Sequence, residues 1–187
     1  MILLTTSRRP TRSIRTFCKD LSHALPDILR INRGKLSLEG VAAKALEVNA
    51  EKVVIVDRWK GGPGKIELYH VNGKLQPIPP LIYLSGIKLR REFQVMPKGR
   101  RIKSVAVFTS PKQSQDVSRL GKALSKFFNI PIMSGQSEYR GYDAILQAGT
   151  DPSGEMVITF RLLPENVEIG PRMKISHLIW DLKVHEG

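Results

Sequence analysis

Residues 2–26 and 105–129 carry the same pattern without a gap, and no other feature constrains the fold as much. Thr6, Ser7, Lys19, Leu21 and Ser22 in the first stretch are matched by Thr109, Ser110, Lys122, Leu124 and Ser125 in the second. Average composition gives about one or two identities over such a length; here there are five. The apolar positions correspond as well, with Ile2, Leu4, Ile14, Phe17 and Leu25 met by Val105, Val107, Val117, Leu120 and Phe128. Each copy reads as a short buried strand, a Thr-Ser loop and an amphipathic helix. A chain that begins this pattern twice is expected to be α/β (α+β) with an internal duplication, its two similar halves packed together. At 187 residues the expectation is one domain, residues 1–187, with halves at 1–97 and 104–187 and a basic joint at 98–103.

In the first copy, Thr11 is placed to cap a helix whose apolar residues Ile14, Phe17, Cys18, Leu21 and Leu25 recur at helical spacing before Pro26 ends it. At 100° per residue, Arg12, Arg15 and Lys19 fall well away from that apolar stripe. Arg8 and Arg9 precede the helix at the end where free N–H groups and the macrodipole favour anions. Further on, ILRIN reads as a strand, Arg33-Gly34-Lys35 as a turn, and Ser37 as the cap of a second helix ending near Asn49. KVVIVDRW and KIELYHV flank GGPG and predict a hairpin, and a further strand is expected to begin near Ile87.

Charge is concentrated on two segments. Residues 1–35 hold eight Lys/Arg against Asp20 and Asp27, and residues 88–103 hold seven against Glu92, so these segments carry twelve of the thirteen net positive charges. A solubility adaptation would spread the excess; a focused one is the footprint of a polyanion surface. The first copy carries Arg8, Arg9, Arg12, Arg15 and Lys19 where the second has Pro111, Lys112, Gln115, Ser118 and Lys122. Charge required by the fold would recur with it, so the first helix is the expected principal contact. Arg33, Lys35, Lys98, Arg100, Arg101 and Lys103 complete the candidate set. The bland alternatives are a solvated helix face for the first group and a charged, aggregation-resistant edge for the second.

Catalytic and cofactor chemistry finds little support. His23, His70, His177 and His185 are scattered, and no metal-ligand spacing is present. GGPGK fails the phosphate-loop pattern because Trp59 and Ile66 stand where glycine and a hydroxyl are needed. Asp143 and Asp151 read as residues flanking one strand, and Cys18 as a packing residue on the apolar helix face. A single cysteine forms no internal disulfide and fits a reducing, cytoplasmic setting. No apolar run approaches the length of a membrane span, and Ile2–Leu4 is too short for a signal-peptide core. We therefore expect no enzyme, no cofactor or metal, and no small-molecule substrate.

TTSRRPTRSIRTFCKDLSHALP near the amino terminus, INRG at 31–34 and VEIGPRM at 167–173 resemble, in that order, the Brix-domain family of ribosome-biogenesis proteins, in particular its short archaeal members. The resemblance covers nearly the whole chain. It implies two halves each akin to the anticodon-binding domain of class II aminoacyl-tRNA synthetases, a non-enzymatic role in ribosomal RNA processing and subunit assembly, and ribosomal or precursor ribosomal RNA as partner. It leaves open ribosomal or other assembly proteins as further partners. The family's basic motif falls on Ser7, Arg8, Pro10 and the following helix, its Asn-Arg-Gly on Asn32–Gly34, and its Gly-Pro-Arg on Gly170–Arg172. Aromatics are scarce in both basic segments, so charge and shape rather than base stacking would carry an RNA contact. The rival readings are a scaffold for an acidic protein and a transfer-RNA-related module.

Overall fold

The computed structural model describes residues 1–59, 62–93 and 100–183, the side chains of residues 59, 62 and 63 excepted. The architecture is mixed α/β and divides into two compact units. The first holds Met1–Ser22, Asp27–Leu84 and the chain from His177; the second holds His23–Pro26 and Ser85–Ser176.

The chain runs β1 (Ile2–Thr6), α1 (Arg12–Ala24), β2 (Ile28–Arg30), α2 (Leu38–Glu47), β3 (Lys52–Trp59), β4 (Gly62–Asn72) and β5 (Lys74–Lys88), all in the first unit except the last two residues of α1 and the end of β5 from Ser85. Strand order is β2-β1-β3-β4-β5. β1 lies parallel to both β2 and β3, and the later pairs are antiparallel. Parallel neighbours require crossovers, and α1 and α2 supply them. The chain leaves β1 toward β2, then crosses back past β1 to reach β3. Right-handed connections in opposite directions set the two helices on opposite faces of the sheet. That enclosure explains why all five residues of β1 are buried.

Leu3, Val53, Ile55, Tyr69 and Val71 pack with Val41 and Ala45 of α2, the alternate-residue set that one sheet face presents. Both expected caps are present: Thr11 Oγ1 accepts from Ile14 N at 3.2 Å and Ser37 Oγ from Gly40 N at 3.0 Å. The β3–β4 hairpin forms, but Trp59 stands opposite Gly62, so most of GGPG belongs to β4 rather than to the turn.

The strand expected near Ile87 is the far end of β5, which begins thirteen residues earlier. Pro77, Pro79 and Pro80 mask it in the sequence. Pro79 and Pro80 lie where the register jumps between Ile78, opposite Leu68, and Ile82, opposite Ile66. An irregular stretch of this kind tolerates residues that lack an N–H.

The second unit contains β6 (Val105–Thr109), α3 (Gln115–Phe128), β7 (Ala144–Thr150), β8 (Met156–Leu162), β9 (Val167–Glu168) and β10 (Arg172–Ile179) as far as Ser176. β6 is parallel to β7, β7 antiparallel to β8, and β8 antiparallel to β9 and β10. Ile132 makes an isolated parallel bridge to Val107 of β6. Ser114 caps α3 through Val117 N at 3.3 Å, and α3 presses on β6 so closely that a Cβ on Gly121 would stand 2.6 Å from Thr109 Cγ2.

Below β8, Glu168 accepts from Thr159 Oγ1 at 2.7 Å and from Arg172 Nε at 2.6 Å. Gly170, at φ +63° and followed by a cis peptide to Pro171, lies against Phe93. Lys88 Nζ stands 4.5 Å and Arg172 Cζ 5.9 Å from the centroid of that ring. Gly170–Arg172 is thus a turn entering β10.

Candidate nucleic-acid interface

The carboxyl ends of β1 and β2 are where the chain's successive connections depart in opposite directions, and open α/β sheets present a crevice at such a point. Here the crevice is a cleft of about 300 Å³ lined by Thr6 at the end of β1, Arg8 and Pro10 beyond it, Arg15 and Cys18 of α1, Arg30 at the end of β2 and residues 31–34 beyond it. Backbone bonds fix its rim: Ile31 N donates to Leu4 O at 2.9 Å, Ser7 N to Val56 O at 3.0 Å, and Thr5 Oγ1 to Ile31 O at 3.1 Å. Gly34, at φ +54°, turns the chain back toward α2. Among the described residues no carboxylate lines the cleft.

Of the residues singled out in the sequence, Arg8 and Arg15 come together in this cleft and are exposed. Arg9, Arg12, Lys19 and Lys35 are also exposed, outside the cleft lining. Among the described residues none of these six cations has a carboxylate within ion-pair distance. The helical spacing is borne out here: Ile14, Phe17, Cys18 and Leu21 are buried while Arg12, Arg15 and Lys19 face solvent.

Arg33 departs from the expectation of an exposed turn cation. It is 6% exposed, its Nε donating to Leu36 O at 2.7 Å and its Nη1 to Thr6 O at 3.1 Å. It therefore ties the end of β1 to the loop before α2, and Arg8 Nε reaches the same Leu36 oxygen at 3.4 Å. Burial lowers the Arg33 pKa, and the neighbouring Arg8 charge acts in the same direction. A guanidinium nonetheless stays protonated at any physiological pH.

The second basic segment fares differently. Lys98 lies outside the described residues. Arg100 is held by its own protein: Nη1 donates to both oxygens of Glu165, at 2.7 and 2.9 Å, and Nη2 to Leu163 O. Arg100, expected from the sequence among the RNA-binding residues, is thus exposed but already engaged by a carboxylate of its own chain. Arg101 and Lys103 are exposed in the second unit.

Two cations were missed in the sequence. Arg30, at the end of β2, lines the cleft, and Arg58, near the end of β3, is exposed and donates from Nη1 to Arg9 O at 3.4 Å. The available signal was position: each cation stands at the carboxyl end of a strand parallel to β1.

The cleft's chemistry is that of an anion binder. Its thiol, Cys18, is buried, which pushes its pKa up to about 12 against the opposing pull of Arg30, so it carries no thiolate at neutral pH. Asp143 and Asp151 flank β7, roughly 25 Å apart at about 3.3 Å per residue. Asp143 accepts from Lys103 N, Ser104 N and Ser104 Oγ. Asp151 accepts from Ser153 N and Oγ and pairs with Lys174 at 3.4 Å. Among the described residues no helix is long and apolar enough to cross a membrane.

No protein-family model matches the chain. It is similar to a probable Brix domain-containing ribosomal biogenesis protein of Methanopyrus kandleri, 32% identical over 137 residues, covering 70% of this chain and 67% of that one. A protein of the same description from Pyrococcus horikoshii is 27% identical over 204 residues, covering 98% of this chain and 89% of the relative. The crystal structure of a probable ribosomal biogenesis protein from Aeropyrum pernix K1 superposes with a TM-score of 0.78 at 25% identity, covering 95% of this chain and 98% of that one.

Proposed function

Because the chain belongs to the family of Brix domain-containing ribosomal biogenesis proteins, we propose that it is a non-enzymatic cytoplasmic factor that binds precursor ribosomal RNA, mainly through phosphates, during processing and subunit assembly. The observation that carries this reading is the set of exposed guanidinium groups at the carboxyl ends of β1 and β2. No carboxylate of the described residues neutralises them, and they surround a cleft that no carboxylate lines. Arg8, Arg9, Arg12, Arg15, Lys19 and Lys35 make the contact, with Arg30 and Arg58 added. Arg33 is retained as the residue on which the cleft is built. Arg101 and Lys103 form a secondary surface. Binding one RNA conformer in preference to others shifts its folding equilibrium, which is all that an assembly factor of this kind requires.

The same reading includes an internal duplication into residues 1–97 and 104–187 about the joint at 98–103, each half akin to a class II synthetase anticodon-binding domain. In support, β1 has parallel partners on both sides, and β6 has β7 on one side and the Ile132 bridge as a second parallel partner.

The test is affinity for a ribosomal RNA fragment as a function of salt. Log affinity should fall with log salt with a slope of about −0.7 to −0.9 per phosphate contacted. Neutralising Arg12, Arg15 or Lys19 should reduce that slope by about one each for many RNA sequences. Changes at Gln115, Ser118 and Lys122 should not. A flat salt dependence would overturn the reading in favour of a protein scaffold.

A further inference from the structure

The cationic cleft presents more than a charged surface, because one of its cations is buried. Arg33 is 6% exposed, and no carboxylate of the described residues stands within ion-pair distance of it; Asp57 and Glu67 act on its charge only from farther away, against the larger effects of burial and of Arg8. Its hydrogen bonds go to two carbonyl oxygens through Nε and Nη1. Nη2 has no partner among the described residues, and the side chain lines the cleft. A charge taken out of water without a counter-ion is costly unless something supplies the missing negative charge. Arg8, Arg15 and Arg30 line the same space and are exposed, so three exposed guanidinium groups surround one that the fold holds still.

We infer that Arg33 is the fixed floor of a subsite for a single phosphate group of an RNA strand, with Arg8, Arg15 and Arg30 closing around it. The inference rests on the RNA-binding reading above and sharpens it, from a surface that attracts phosphates to a cleft that positions one of them. The lining fits this ligand better than the alternatives. A nucleobase would be expected to find an aromatic wall, and none of the lining residues is aromatic. A metal cation would face four guanidinium groups and no carboxylate of the described residues. Planar guanidinium donors match phosphate oxygens in pairs, and a buried pair is screened little by salt.

The experiment follows the arginine Nε–Hε signals of the full chain by NMR, first with inorganic phosphate, then with one oligoribonucleotide carrying either a 5′-phosphate or a 5′-hydroxyl. Inorganic phosphate should shift the Arg33 signal saturably and compete with RNA, while the Arg100 signal, engaged by Glu165, stays in place. R15Q and R30Q, both at exposed positions, should each weaken phosphate binding several-fold; R33K should lower RNA affinity about tenfold. Should R33K fail to fold, the wild-type titration together with R15Q and R30Q still decides. Tighter binding of the 5′-phosphate by about tenfold identifies a strand terminus as the source, and equal binding an internal phosphodiester. RNA binding that is steep in salt while phosphate leaves Arg33 unshifted would sink the subsite and spare the wider reading. RNA binding that is flat in salt would remove the wider reading itself.

Discussion

Replacing Gly170 by alanine tests the packing of the Gly-Pro-Arg turn in the second unit. Two separable penalties are expected. The first is backbone: at φ +63° an L side chain costs about 1–2 kcal/mol. The second is steric, because the new Cβ would overlap the Phe93 ring at Cε2 and stand 3.0 Å from both Cδ2 and Cζ. Phe93 is half-buried, with Lys88 Nζ 4.5 Å from its ring centroid. Moving the ring therefore disturbs a cation–π contact as well as packing, and overpacking of this kind costs about 1–3 kcal/mol. The sum is about 2–5 kcal/mol, or a fall in Tm of about 4–20 °C for a chain of this length. Thermal and urea melts of G170A give the total, and the same substitution in an F93A background isolates the backbone part, about 1–2 kcal/mol. A cost below about 1 kcal/mol for G170A, or an equal cost in both backgrounds, would refute the argument.

The remaining expectations concern a cap, a carboxylate and a thiol. T11A should destabilise the protein by about 1 kcal/mol through the lost cap on Ile14 N, read from the urea midpoint at unchanged slope. Burial raises the Glu168 pKa, but hydrogen bonds from Arg172 and Thr159 outweigh it and leave the carboxyl below its usual range. The resulting stabilisation is complete above the unfolded value of about 4.3 and is lost as pH falls through the folded one, so E168Q should flatten acid denaturation below about pH 4.5. With its pKa pushed up to about 12 and its side chain buried, Cys18 should react with a thiol reagent at pH 8 only after denaturant is added, as followed by absorbance.

The helices and their caps were legible because a stripe such as Ile14, Phe17, Cys18 and Leu21 needs only local spacing to be seen. β5 was not legible, because three prolines argue against a strand unless the register jump that accommodates two of them is known. The site was legible as a cluster of charge and not as a cleft. Sequence counts Arg33 and Arg15 alike, yet one is fixed to Thr6 and Leu36 carbonyls while the other faces solvent. Nor does anything near Arg100 announce Glu165, its partner 65 positions away. Arg30 and Arg58 gain meaning only once β2 and β3 are seen to run parallel to β1, which places their ends beside those of the basic loop.

The segment from His177 belongs to the unit that Met1 begins, and His177 stacks on Tyr83 with ring centroids 4.3 Å apart. During translation this imposes an order of events. β1 must wait for β3, whose register with it spans residues 52–56, and Tyr83 must wait for His177, which follows the whole of Ser85–Ser176 in the second unit. A nascent chain stalled before His177 therefore lacks the ring that stacks on Tyr83, so the first unit is completed only after the second has been synthesised.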